Sequence, residues 1–212
     1  VTIQVNDVAP SSVTYRPTSL TLTNGTAMTS VTPTSNGGTV TSWSVSPSLP
    51  AGLSLDTSTG TISGTPTAIT SSASYTVTAT NTGGSATAIV TIQVNMAPPS
   101  SITYSPSSIT LVKDVAMTTV TPTANGGPVA AWTISPTLPA GLSISSSTGA
   151  ISGTPTAITS SAQYTVTATN AGGSGTATVT IVINDVAPSS VTYSPSFLTL
   201  SKDTAMTTVT PT

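Results

Sequence analysis

Apolar and hydroxyl residues alternate along the chain with a period of two. Tyr164 to Thr169 reads Tyr-Thr-Val-Thr-Ala-Thr, and Thr176 to Ile181 reads Thr-Ala-Thr-Val-Thr-Ile. In an extended strand this period puts the apolar set on one face and the threonines on the other, and a one-residue slip would expose the whole apolar set, so the register is fixed. Shorter stretches predict further strands at about Ile102–Tyr104, Ile109–Leu111, Ala116–Thr121, Val129–Ile134, Leu142–Ile144 and Ala150–Ser152, with the two long ones at Tyr164–Thr169 and Thr176–Ile183. Turn chemistry separates them: Asn125-Gly126-Gly127, Leu138-Pro139-Ala140-Gly141, Ser147-Thr148-Gly149 and Asn170-Ala171-Gly172-Gly173. The last should close a hairpin between the two longest strands, since Asn and Gly accept positive φ cheaply. Short strands, frequent turns and no helical periodicity predict an all-β fold, an immunoglobulin-like β-sandwich.

The same pattern recurs every 89 residues, as the spacing of Tyr15, Tyr104 and Tyr193 and of Trp43 and Trp132 shows. Asp7–Asn95 laid over Met96–Asn184 gives 60 identities in 89 positions, which marks near-copies of one unit. Residues 1–6 (VTIQVN) match the tail of each unit, and residues 185–212 match its opening. The predicted organisation is the last strand of a preceding module at 1–6, immunoglobulin-like modules at 7–95 and 96–184, and the opening strands of a following module at 185–212. Tandem immunoglobulin-like β-sandwiches arranged end to end, within a longer parent polypeptide, are the expectation.

Leu138-Pro139-Ala140-Gly141-Leu142 followed by Gly149-Ala150-Ile151-Ser152-Gly153-Thr154-Pro155 resembles the L-P-x-G-L … G-x-I-x-G-T-P signature of the bacterial "putative Ig" (He_PIG) modules, related to dystroglycan-type cadherin-like domains. The first unit carries it as Leu49-Pro50-Ala51-Gly52-Leu53 and Gly60-Thr61-Ile62-Ser63-Gly64-Thr65-Pro66. The resemblance implies a tandem immunoglobulin-like segment of a large extracellular or cell-surface protein, such as an adhesin or fibre. It implies no catalytic residues, because the signature is turn chemistry.

Charge narrows the function further. Only 4% of residues are charged, and the ionisable side chains of Asp, Lys and Arg are Arg16, Lys113, Lys202, Asp7, Asp56, Asp114, Asp185 and Asp203. Three cations cannot neutralise a run of phosphates, which argues against nucleic acid and anionic membrane surfaces as partners. No apolar run approaches the roughly 18 residues a membrane span needs. With no histidine, cysteine or glutamate, nucleophile–base pairs, metal clusters and paired carboxylates have no material, so an enzyme is not expected.

The remaining candidates are few. Trp43 and Trp132 have the chemistry to stack on sugars, but a strand tryptophan beside Ile134 fits a sandwich core better. Tyr75 and Tyr164 read as core or corner residues, and Tyr15 and Tyr104 as packing near the module junction. The junction sequence Val5-Asn6-Asp7-Val8-Ala9-Pro10 recurs as Ile183-Asn184-Asp185-Val186-Ala187-Pro188, with Met96 in place of Asp at the middle junction. One carboxylate per junction falls short of what calcium takes from its six to eight oxygen ligands, so no cofactor is expected there. Asn24-Gly25-Thr26 is the one N-glycosylation sequon, and its counterparts at Lys113 and Lys202 lack it. Thr165, Thr167, Thr169, Thr176, Thr178 and Thr180 should form a ladder on the solvent face, a candidate surface for O-linked glycans or for binding.

Two functions remain in view. One is a structural repeat of a cell-surface fibre, filament or adhesin stalk, with copies of itself as partners and glycans as decoration. The other is a binding module whose threonine face meets polysaccharide, ice or mineral.

Overall fold

The computed structural model describes every residue except Gln4, Asn6 and Thr212. Two modules each contain eight strands and no helix. The first has β1 (Pro10–Thr14), β2 (Ser19–Thr23), β3 (Thr34–Gly37), β4 (Ser42–Ser46), β5 (Leu53–Leu55), β6 (Ile62–Gly64), β7 (Thr70–Asn81) and β8 (Gly84–Asn95). The second repeats them as β9 (Pro99–Tyr104), β10 (Ser108–Val112), β11 (Pro122–Gly126), β12 (Ala131–Ser135), β13 (Leu142–Ile144), β14 (Ile151–Gly153), β15 (Thr159–Asn170) and β16 (Gly173–Asn184). Each module is built on a four-stranded sheet, ordered β2-β8-β7-β4 or β10-β16-β15-β12, with two-stranded sheets β1-β3 and β5-β6, or β11-β9 and β13-β14.

The long hairpins β7–β8 and β15–β16 form the spine, closed by the predicted Asn-x-Gly-Gly turns. The second strand of each module runs parallel to the last one, pairing Ser108–Val112 with Thr180–Asn184. The beginning and end of every module are thereby fastened side by side, a non-local closure that hairpins alone do not provide.

Alternation decides what is inside. Val166, Ala168, Val179, Ile181 and Ile183 are fully buried, as are Val77, Ala79, Val90 and Ile92 in the first module. Each module has its own core: one cluster gathers Tyr104, Trp132, Ile151 and Tyr164, and a separate one gathers Tyr15, Trp43, Ile62 and Tyr75. Trp132 packs against the turn before β14, where Gly149 has φ +72° and an added Cβ would lie 2.6 Å from the indole. Only glycine meets both demands there.

Several sequence expectations differ from the structure. Ala116–Thr121 is not a strand: Met117 and Val120 donate singly to Gly153 and Ile151 through backbone N–H groups, leaving an isolated bridge at Val120. The strand lies after it, at β11, so part of the expected Asn125-Gly126-Gly127 turn is paired with β9 across a bulge. Val129–Ile134 begins late, at Ala131, and the Tyr164–Thr169 strand starts earlier, at Thr159. The expected strand at 1–6 does not form at its described residues, and Gln4 and Asn6 of that segment lie outside the described residues. The opening strands expected in 185–212 do not form among its described residues either, where a single bridge joins Tyr193 to Pro211.

Candidate functional site

Strict alternation on β15 and β16 turns the threonines outward. Across the second module's sheet the partners line up in rows: Thr178, Thr165 and Ser135 in one, Thr176, Thr167 and Thr133 in the next, then Ser174, Thr169 and Ala131. Thr180 sits between Gln163 and Ser108. Thr165, Thr169, Thr176 and Thr178 are exposed, while Thr167 and Thr180 are half-buried by their neighbours. All six residues of the ladder therefore share one face. Facing threonine methyls and hydroxyls stabilise such a sheet by about 0.2–1 kcal/mol per pair.

The first module presents the same face with one break. Its rows are Ile89, Thr76 and Ser46, then Thr87, Thr78 and Ser44, then Ser85, Thr80 and Ser42. Ile89 stands where Thr178 stands in the second module and is 60% exposed.

The tryptophans are not on this surface. Trp43 and Trp132 are buried in their cores, out of reach of a sugar ring. Tyr15 and Tyr104 are buried too, and each phenol donates to a turn carbonyl, Gly60 at 2.5 Å and Gly149 at 2.6 Å. Desolvation pushes both phenols up to about 12, so they stay neutral donors. Asp56 caps the β5–β6 turn: the Ser58 hydroxyl, then the backbone N–H groups of Ser58 and Thr59, lower its carboxyl to about 2. In the second module Ser145 takes that place, accepting from the Thr148 N–H. Asn24 is half-buried in the turn after β2, and its backbone N–H donates to the Asn95 carbonyl at 2.8 Å.

The junction is where sequence reading missed the decisive side chains. Asn81 and Asn170 are the buried polar side chains among the described residues. Asn170 Nδ2 donates to the carbonyls of Ala97 at 2.9 Å and Pro128 at 3.1 Å, while its Oδ1 accepts the Gly172 N–H at 2.8 Å. Asn81 repeats this with Val8, Thr39 and Gly83. A residue at the tip of the long hairpin thus pins the start of its own module. Asn-x-Gly-Gly announced a turn, but nothing local announces a partner 73 residues away.

Pinning leaves little slack between modules. The Asn95 carbonyl is held by the first module and the Ala97 carbonyl by the second, so Met96 alone lies between. A Cβ on Gly172 would sit 2.1 Å from the Met96 carbonyl oxygen, so even that residue is closely packed. A cleft of about 600 Å3 opens at this point, lined by Asn24 and Ile69 from the first module and Met96, Pro98 and Pro128 from the second. Among the described residues there is no group of three or more metal-ligating side chains, and no helix is long and apolar enough to cross a membrane.

Two self-contained sandwiches in tandem, faced with hydroxyls and joined through one residue, define a class: repeated immunoglobulin-like modules. The model of the Putative Ig domain family, He_PIG, matches residues 9–95 and again 98–184. The chain belongs to that family, in two tandem copies. Among solved structures it is similar to the titin domains Z1Z2 in complex with telethonin, at 17% identity over 88% of this chain and 100% of that one, with a TM-score of 0.42. It is also similar to human protocadherin-24 EC1-2, at 11% identity over 86% and 100% of the two chains, TM-score 0.38. Extracellular domains 3–5 of Drosophila OTK match at 16% identity over 82% and 62%, TM-score 0.47. No curated protein matches the sequence.

Proposed function

We propose that this chain is a structural segment of an extracellular, cell-surface fibre, filament or adhesin stalk, in which each module contributes length and the junction transmits direction. The observation that carries this reading is the pinned junction: Met96 alone separates carbonyls held by two different modules. A linker that short suppresses swinging, whereas a flexible tether would need a Gly- or Ser-rich run. Separate cores let modules be added without changing those before them.

Hydroxyl faces of such low charge need a cover in place of mixed charge. O-linked glycans on Thr165, Thr169, Thr176 and Thr178, or lateral packing against copies of the same chain, would supply it. Tandem immunoglobulin-like modules occur in extracellular adhesion and structural proteins, and a non-catalytic role agrees with that. Imaging of the native assembly tests the proposal: beaded rods with one module per repeat are expected, and isolated compact particles would overturn it.

A second reading is favoured by the regular rows of exposed threonine on the second module, which would suit a polysaccharide, ice or mineral surface. Ile89 interrupts the same rows in the first module, so the face is not kept uniform along the array. Replacing Thr165, Thr167, Thr176 and Thr178 by valine separates the readings. Loss of measured affinity for ice or for arrayed glycans would favour binding, and an unchanged fibre with no such affinity would favour structure.

A further inference from the structure

The two modules close their junctions with different residue pairs, and both members of the pair change together. In the first module Thr82 Oγ1 donates to Asp7 Oδ2 at 2.5 Å, joining the first residue of the module to the tip of its hairpin. In the second module Met96 replaces Asp7 and Ala171 replaces Thr82. The backbone is the same at both places, since a Cβ on Gly83 would lie 2.0 Å from the Asp7 carbonyl oxygen and one on Gly172 lies 2.1 Å from that of Met96. Residue 96 therefore stands over residue 171 as 7 stands over 82. Met96 is half-buried and lines the cleft that also contains Ile69, a half-exposed side chain of the preceding module.

We propose that these positions form a matched pair that decides which module holds the junction residue. Aspartate with threonine ties it to the hairpin of its own module. Methionine with alanine releases it from the hairpin and gives it to the cleft, where a flexible thioether fills irregular apolar space against Ile69 and Pro128. The array thus contains two kinds of joint: one closed on itself, and one in which neighbouring modules touch through the Met96 side chain. This does not depend on what the array is for.

The test uses the full chain with Met96→Asp, Ala171→Thr and the double variant. Two measurements separate the consequences: hydrogen exchange of the 170–173 hairpin tip, and the distance distribution between spin labels on cysteines introduced one per module. The chain has no cysteine of its own, so the labels are unambiguous. Met96→Asp alone is expected to broaden the distance distribution and leave exchange at the tip unchanged, because Ala171 offers residue 96 no hydroxyl. Adding Ala171→Thr is expected to slow exchange at the tip while the distribution stays broad, because the aspartate is now held by its own hairpin. The reciprocal changes keep the question open to measurement if the first set folds poorly: Asp7→Met and Thr82→Ala should each speed exchange at 81–84, and the double should speed it no further than either single change, because both remove the same hydrogen bond. Unchanged distances in Met96→Asp, unchanged exchange on adding Ala171→Thr, or losses in the Asp7→Met, Thr82→Ala double that equal the sum of the single ones, would overturn the proposal.

Discussion

Residues 100–123 and 189–212 are close copies, yet they meet opposite fates. Tyr104 is 5% exposed and Tyr193 is 52%; Ile109 is 6% exposed and its counterpart Leu198 is 44%. The first stretch contains most of β9 and all of β10 and enters β11, while the second forms no strand among its described residues and keeps the bridge from Tyr193 to Pro211, the counterpart of the Tyr104–Pro122 pair. The contact that survives is local, with its partners 18 residues apart. The missing ones are distant: β10 pairs with Thr180–Asn184, and Tyr104 donates to Gly149. No counterpart of β12 through β16 is present for residues 189–212 within the 212 residues. Strand formation here belongs to the module and not to the segment, as expected where packing of the apolar face supplies most of the stability.

The strongest way to break this comparison is to supply the missing partners. Appending a copy of residues 124–184 after Thr212 should convert the segment into paired strands, bury Tyr193 and protect its amides from hydrogen exchange. If 189–212 stayed unpaired, sequence differences such as Phe197 for Ser108 would have to be responsible.

Removing partners should push the second module the other way. Trp132→Ala empties the centre of its core and should cost about 3–5 kcal/mol. Because the cores are separate, the fluorescence transition of Trp43 in the same chain should not move. A shift in the Trp43 transition would show that the modules fold as one unit.

A smaller loss is expected from Asn170→Ala, which leaves the Ala97 and Pro128 carbonyls without their donor. About 1–3 kcal/mol of the second module's stability should go, read by denaturant unfolding, with faster exchange at the hairpin tip. Smallest is Tyr104→Phe, about 1 kcal/mol for the hydrogen bond to Gly149. It carries a pH signature. The phenol is raised from 10.0 to about 12, so its contribution is fully present below pH 10 and declines as pH rises through about 12. In the variant the second module should lose that part of its alkaline decline, while the first, with Tyr15 intact, keeps it.

The same contrast explains what could be read from sequence. Strands β15 and β16 were legible because their alternation is strict and they adjoin through an Asn-x-Gly-Gly turn, and the threonine ladder followed from that alternation alone. The stretch Ala116–Thr121 misled because Met117 and Val120 both turn inward at a spacing of three, which no strand period describes. Pro122-Thr-Ala-Asn-Gly was missed as a strand because it has no apolar alternation and pairs through a bulge. Asn170 was legible as a turn residue but not as a clamp, since its partners at Ala97 and Pro128 lie 73 and 42 residues away. Fixed spacing showed that the module repeats, whereas the exchange of Asp7 and Thr82 for Met96 and Ala171 acquired meaning only when the hairpin tip was placed over the junction.

Small-angle scattering of the chain in solution tests the central claim most directly, namely that two independent sandwiches stand end to end on a one-residue joint. Two beads of about 12 Å radius of gyration, with centres about 40 Å apart for hairpins of 12 residues, give an overall value of about 23 Å and a two-lobed distance distribution. A single-lobed distribution near 17 Å, the value for a compact globule of this length, would contradict it.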